Sequence, residues 1–175
     1  LNIIHSWQED KGFRAAQSRN KAIVKSSGDY IILVDGDMIL HPKFIQDHIK
    51  NAQANYFVQG SRVLLTEDKS EKILDSKRTS FSFFSTGLKN RKNAIRSNLL
   101  SKIFSSKKNY LKGVRSCNMA FFKDDCMKVN GFNEDFIGWG REDSEFGIRL
   151  MNIGIKRRDL KFKAIIIAKD DFKMD

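Results

Sequence analysis

The sequence predicts an α/β fold, and three observations carry that prediction. Apolar segments of strand length alternate with segments whose apolar residues recur at helical spacing. The run Tyr30–Val34 is continuously apolar and bounded by Asp29 and Asp35, the pattern of a strand buried on both faces of a parallel sheet. Glycine and proline punctuate the joins, with Gly28 suited to close a helix and Pro42 to open one.

In chain order, Leu1–His5 reads as a short strand and Ser6–Gly12 as a polar loop. Phe13 to Val24 carries apolar residues at Phe13, Ala16, Ile23 and Val24, which predicts a helix. After the Tyr30–Val34 strand, a helix with a stripe at Phe44, Ile45, His48, Ile49 and Ala52 leads to a strand over Tyr56–Leu65. The stretch Glu67 to Lys112 is rich in Lys, Arg, Ser and Asn and reads as a basic, helical insertion, with aromatic clusters at Phe81, Phe83 and Phe84. Val114–Phe122 reads as a strand, Asp124–Val129 as a short helix, Glu142–Ile153 as a helix ended by Gly154, and Phe162–Ala168 as a last strand. Without repeat or low-complexity linker, residues 1–175 read as one domain.

Composition bounds the function. Thirty-two basic against 21 acidic residues give a net charge of +11, which predicts acidic partners: nucleotide phosphates, anionic lipid head groups, acidic glycans or nucleic acid. No apolar run approaches the roughly 20 residues that span a bilayer. No charged-then-apolar leader marks the chain for secretion, and it opens without Met on an apolar run, so a piece of a longer cytoplasmic protein is expected. Cys117 and Cys126 have no metal-ligand spacing and read as buried thiols in a reducing compartment.

Two constellations carry chemistry. Asp35-Gly36-Asp37 lies where the buried strand ends, the place where open α/β sheets bind ligands. Residues two apart on an extended backbone point the same way, and Gly36 permits close approach to a ligand. Two neighbouring carboxylates repel unless a cation lies between them, and oxygen ligands favour Mg²⁺ or Mn²⁺. The second constellation is Phe136-Ile-Gly-Trp-Gly-Arg-Glu-Asp-Ser-Glu145. Gly138 and Gly140 let the backbone present Trp139, an aromatic platform for a sugar ring, and Glu142, Asp143 and Glu145 open a helix. A carboxylate there can act as general base on an acceptor hydroxyl, while the plain alternative is compensation of the helix dipole.

Together these stretches resemble a known family. Gly12-Phe-Arg-Ala-Ala-Gln-Ser-Arg-Asn20 followed by Gly28-Asp-Tyr-Ile-Ile-Leu-Val-Asp-Gly-Asp37 is similar to family-2 glycosyltransferases of the GT-A fold, and Gly138–Glu145 resembles a motif of β-1,4-galactosyltransferases and chondroitin-polymerase-type enzymes. The resemblance implies a Rossmann-like mixed sheet flanked by helices, incomplete at the N-terminus because the nucleobase-binding portion is missing. It implies metal ligation by Asp35 and Asp37, and donor contacts from Arg19, Asn20, Asp35 and Asn118. It further implies acceptor contacts from Trp139, Gly140 and Glu145, with Asp143 as the base and Glu142 beside it. Where related enzymes end their last strand with a metal-binding His, this chain reads Ala168-Lys-Asp-Asp171, which leaves Asp170 as the candidate substitute.

The expected activity is therefore inverting, metal-dependent transfer of a hexose from a nucleotide-diphosphate sugar, UDP-linked, to a glycan or lipid-linked acceptor in surface glycan synthesis. The expected setting is the cytoplasm, at the inner face of an anionic membrane. Two alternatives have some support. A haloacid-dehalogenase-like phosphatase also places Asp-x-Asp after an apolar strand, and Lys169-Asp170-Asp171 imitates its later residues. A basic nucleic-acid-binding module would use the net charge, but no recognition motif accompanies it, so no nucleic-acid partner is expected.

Overall fold

The computed structural model describes residues 2–76, 81–107, 109–138 and 140–169. Helix α1 (Ala15–Lys25) leads to strand β1 (Tyr30–Val34), and a turn then gives β2 (Ile39–Leu40). Helix α2 (Phe44–Asn51), β3 (Tyr56–Gln59), β4 (Ser61–Leu65) and α3 (Glu67–Ser76) follow. Next come β5 (Leu88–Lys89), a 3-10 turn over Arg91–Ala94 and α4 (Asn98–Phe104). The chain continues with β6 (Asn118–Phe122), α5 (Lys123–Lys128), α6 (Glu142–Asn152), β7 (Lys156–Asp159) and β8 (Ile165–Lys169).

The strands form two four-stranded sheets, ordered β1-β6-β3-β7 and β2-β8-β4-β5. Both are mixed. Strand β6 runs antiparallel to β1 and β3, while β3 and β7 are parallel. In the second sheet β4 and β8 are parallel, and β2 and β5 pair antiparallel at the edges. The mixed α/β architecture expected from the sequence is present, but the setting of β1 differs from the expectation. It is an edge strand with one antiparallel neighbour, and only Ile31 of its five residues is buried. Its apolar run arises because Ile31 and Leu33 face one core while Tyr30 and Ile32 face another.

The expected strand over Tyr56–Leu65 is two strands, one in each sheet. Gly60 makes the join. Its backbone amide donates to the Asn118 carbonyl at 3.0 Å, and a Cβ on Gly60 would lie 2.3 Å from Asn118 Oδ1. The alternation of buried and half-buried residues in Ser61–Leu65 is that of a strand with one face on the core. Residues 2–5 form no strand, and Ile3 and Ile4 are exposed. The basic middle contains α3, α4, β5 and the 3-10 turn. Phe81 packs on the core, whereas Phe84 is exposed.

Three apolar clusters hold the layers. Phe57, Met119 and Phe121 meet Ile23, Phe132, Phe146 and Leu150 under α1 and α6. Phe44 of α2 covers the other face through Val58, Ala120, Leu160 and Ile166. Val63, Leu65 and Ile165 pack with Ile73 of α3. Burying such side chains contributes about 1.5–3 kcal/mol each. Strand β7, Lys156-Arg-Arg-Asp159, has no apolar residue, yet Arg157 and Asp159 are buried. They pair at 2.7 Å, and the Arg157 guanidinium also donates to the Tyr110 and Lys112 carbonyls. Charges buried in this way are tolerated because they are paired and hydrogen-bonded. Cys117 and Cys126 are free and buried, as expected. No helix among the described residues is long and apolar enough to cross a membrane.

Candidate active site

Arg19 is the centre of the site. It projects from α1, and its guanidinium reaches three carboxylates drawn from two distant parts of the chain. Nη1 donates to Glu142 Oε1 at 3.0 Å and to Asp143 Oδ1 at 3.5 Å, and Nη2 lies 3.8 Å from Asp35 Oδ1. The end of β1 and the first turn of α6 are thereby brought together around one planar cation that can donate in several directions. The face of Phe132 lies 5.5 Å from the Arg19 guanidinium carbon, and Phe132 itself stacks on Phe146 at 4.1 Å.

The Asp35–Asp37 segment is a turn, closed by the Met38 amide donating to the Asp35 carbonyl at 3.4 Å. The expectation that the two carboxylates project together from an extended backbone is therefore corrected: the turn, rather than strand alternation, sets their relation. Burial raises the Asp35 carboxyl above its ordinary value. Arg19 opposes the rise, the Asp37 and Asp143 charges add to it, and Arg62 again opposes it. Asp37 is exposed.

Asp143 is held from the opposite side. The backbone amide of Ser116, in the turn before β6, donates to Oδ2 at 3.0 Å. Burial raises the Asp143 carboxyl more than the Ser116 and Arg19 bonds lower it, and the Glu142 charge adds to the rise. Glu142 is 6% exposed, and its Oε2 has no hydrogen-bond partner among the described residues. A buried carboxylate oxygen without a donor is unusual in a folded protein and marks a place where a ligand hydroxyl can donate. The loop into α6 is built on backbone that glycine favours: Gly138 and Gly140 have φ of +95° and +106°, and the Gly138 amide is tied to the Phe13 carbonyl at 3.0 Å.

Other expected site residues are placed differently. The Asn20 amide clamps α1 to the loop before α6, donating to the Phe132 carbonyl at 2.8 Å and to Glu134 at 2.9 Å while accepting from the Phe132 amide. Asn118 is 1% exposed. Its Nδ2 donates to the Ser61 and Ala164 carbonyls, which leaves Oδ1 to accept from His48 Nε2 at 2.9 Å. Both amides spend their hydrogen-bonding capacity inside the protein. Glu145 forms a forked ion pair with Arg149 at 2.5 and 2.8 Å, away from Arg19. Gly140 has open space where a side chain would be. Trp139 and Asp170 lie outside the described residues. Ser116, whose backbone anchors Asp143, had no signal in the sequence, because a backbone donor has no side-chain signature.

A divalent cation fits the donor set. Three carboxylates, Asp35, Glu142 and Asp143, meet the Arg19 guanidinium, and the charges of Asp37 and Arg62 act on Asp35 beside them. Hard oxygen donors suit Mg²⁺ or Mn²⁺, which are commonly held by one or two protein carboxylates with water and substrate phosphate completing the shell. Among the described residues no group of three His, Cys, Asp or Glu forms a complete metal cage. Asp35 and Asp37 are thus the residues that would hold the ion, with coordination left for a ligand.

Comparisons with known proteins bear on this site as a whole. A family model described as glycosyl transferase family 2 matches residues 3–128, and one described as the N-terminal domain of galactosyltransferase matches residues 100–171. The chain is 27% identical over 187 residues to a chondroitin synthase from Escherichia coli, covering 92% of this chain and 26% of that protein. It therefore spans about a quarter of the length of the curated relative it matches. Among solved structures it is similar to GalNAc-T7 with UDP, GalNAc and Mn²⁺, at a TM-score of 0.57 and 10% identity, over 88% of this chain and 30% of that one. The shared architecture is the GT-A fold.

Proposed function

The chain belongs to glycosyl transferase family 2, and from that premise we propose that its carboxylate cluster transfers a hexose from a nucleotide-diphosphate sugar to an acceptor hydroxyl. The observation that carries the proposal is Arg19 joining Asp35, at the end of β1, to Glu142 and Asp143, at the start of α6. A donor-side and an acceptor-side group are thereby held within one cluster.

Asp143 is the proton acceptor. Its raised pKa makes it a stronger base than an exposed aspartate, and the Ser116 amide and Arg19 fix its orientation. The acceptor hydroxyl gives its proton to Asp143, its oxygen bonds to the anomeric carbon, and the bond from that carbon to the diphosphate oxygen breaks. A single displacement of this kind inverts the configuration; the family resemblance favours it. Glu142 Oε2, buried and without a donor among the described residues, suits a sugar hydroxyl. A divalent ion at Asp35 and Asp37 would neutralise the departing diphosphate. Arg19 opposes the rise in the Asp35 and Asp143 pKa values and sits between the neighbouring carboxylates.

The UDP and Mn²⁺ in the name of the similar solved structure support a UDP-linked donor and Mn²⁺. The chondroitin synthase relative supports a glycan acceptor and a role in surface polysaccharide synthesis. The net charge of +11 suits work beside an anionic membrane face.

The test is turnover of a panel of nucleotide sugars by the full-length protein with Mn²⁺ or Mg²⁺, with p-nitrophenyl phosphate as a control. The expected result is release of nucleoside diphosphate from one or two sugars, abolished by EDTA, with the phosphate ester untouched. Hydrolysis of the phosphate ester without nucleotide-sugar turnover would instead favour the phosphatase alternative.

A further inference from the structure

The charge of the chain is concentrated in one stretch. Between Asp75 and Asp124 the sequence has twelve basic residues and no acidic one, while the remainder carries 20 basic and 21 acidic residues. The whole net charge of +11 therefore belongs to the stretch that contains α4. Such an accumulation predicts an anionic partner.

Helix α4 is inverted in polarity. Ser101 is buried, and Ser97 caps the helix by accepting from the Leu100 amide at 3.2 Å. Leu99 and Ile103 are four residues apart and lie on the side opposite Ser101 at 3.6 residues per turn. They are 67% and 63% exposed, and Phe104 beside them is 58% exposed. Lys102, Lys107 and Lys112 are exposed in the same segment. Asp159 gathers the residues that follow: Ser106 exchanges backbone hydrogen bonds with it, and the Tyr110 hydroxyl donates to its carboxylate. The partly exposed Tyr110 and Leu111 are thereby drawn toward the end of α4.

The helix is tied to the fold at both ends. Arg96, just before it, makes a forked pair with the buried Asp47 of α2 at 2.6 and 2.9 Å. The Ser97 amide donates to the Phe162 carbonyl at 3.1 Å, and the Phe104 ring packs 5.7 Å from that of Phe162. These ties hold the apolar side outward. Exposed apolar side chains among lysines suit one class of partner. A hydrophilic polyanion engages the lysines and gains nothing from Leu99, Ile103 and Phe104. A second copy would bring like charges together. An anionic bilayer engages both, because its head groups attract the lysines and its acyl boundary accepts the apolar side chains.

We propose that α4 docks on an anionic membrane surface, with Leu99, Ile103 and Phe104 entering the head-group boundary and Lys102, Lys107 and Lys112 facing lipid phosphates. Twelve residues separate Phe104 from Ser116, whose amide holds Asp143, so docking places the carboxylate cluster within roughly 40 Å of the bilayer. The inference concerns where the protein works and stands independently of the sugar-transfer reading.

The experiment is vesicle co-sedimentation of the full-length protein. One set of vesicles is phosphatidylcholine, the other equal parts phosphatidylcholine and phosphatidylglycerol, and heparin is the soluble polyanion control. The anionic vesicles are expected to bind about 100-fold more tightly than the neutral ones, the scale of three lysines near a charged surface. Leu99→Gln with Ile103→Gln is expected to weaken binding to the anionic vesicles about ten-fold and to leave heparin binding unchanged. Lys102→Gln with Lys107→Gln is expected to weaken it about twenty-fold. All four positions are exposed, so melting temperatures within error of the parent are expected. Equal affinity for both vesicle types, or no binding to either, overturns the proposal, as does parental vesicle affinity in either double variant. Tighter binding to heparin than to the anionic vesicles, unaffected by the apolar variant, overturns the lipid assignment in favour of a soluble polyanion. Turnover of nucleotide sugar is read separately, so failure here leaves the transfer reading standing.

Discussion

Removing the Arg19 guanidinium leaves Glu142 and Asp143 facing each other without their shared cation. Arg19→Met is expected to destabilise the fold by about 2–3 kcal/mol, the scale of lost hydrogen bonds to charged groups, and to abolish transfer. Arg19→Lys recovers part of the stability, because a point charge cannot fork between carboxylates. Denaturant unfolding of the three proteins checks this, and equal midpoints would show that Arg19 is not the cluster's clamp. The residue scale also shows what a sequence motif hides. Arg19-Asn20 read as a pair of donor contacts, yet neighbouring side chains do different work: Arg19 reaches the carboxylates, and Asn20 ties down the Phe132 backbone. Apart from Asp35, the partners of each lie more than 110 residues away, and no local pattern encodes a contact at that separation.

At the scale of elements, the β3–β4 join is the most demanding point. The chain passes from one sheet to the other at Gly60, against a buried amide that itself makes three hydrogen bonds. Gly60→Ala must displace the Asn118 side chain, and a loss of about 2–4 kcal/mol is expected from overpacking and broken buried hydrogen bonds. Thermal unfolding tests this, and a melting temperature within error of the parent would contradict it. The apolar content of β1, β3, β4, β6 and β8 was legible because it follows from burial. The glycine interrupting Tyr56–Leu65 was a visible signal of the break between two sheets. The antiparallel, edge position of β1 was not legible, because strand pairing is a long-range property. Strand β7 was hidden because its interior-facing residues are a charged pair that satisfies itself, where the sequence pattern for a strand looks for apolar alternation.

Across the whole molecule, His48 couples fold stability to pH. Burial lowers its pKa from 6.5 to about 4, because the ring sits wholly inside, donating through Nε2 to Asn118 while Nδ1 has no partner among the described residues. A depressed folded-state pKa means that the stability contribution is complete above pH 6.5 and is lost as pH falls toward 4. The loss is of order 3 kcal/mol. His48→Gln removes the titration, so the stability difference between parent and variant is expected to shift by about that amount over this window, as read from urea midpoints. Parallel curves would contradict it.

The two sheets and three cores bring the end of β1, the turn before β6 and the start of α6 to one place, and the central claim is that sugar transfer happens there with Asp143 taking the proton. Asp143→Asn keeps an oxygen for the Ser116 amide and removes the base. The most direct measurement is single-turnover sugar transfer by full-length Asp143→Asn beside the parent, with Mn²⁺ and UDP affinities measured on the same samples. The account predicts a loss of about 10²- to 10⁴-fold in transfer with both affinities retained. Transfer within about three-fold of the parent would contradict it, since a general base contributes far more than that.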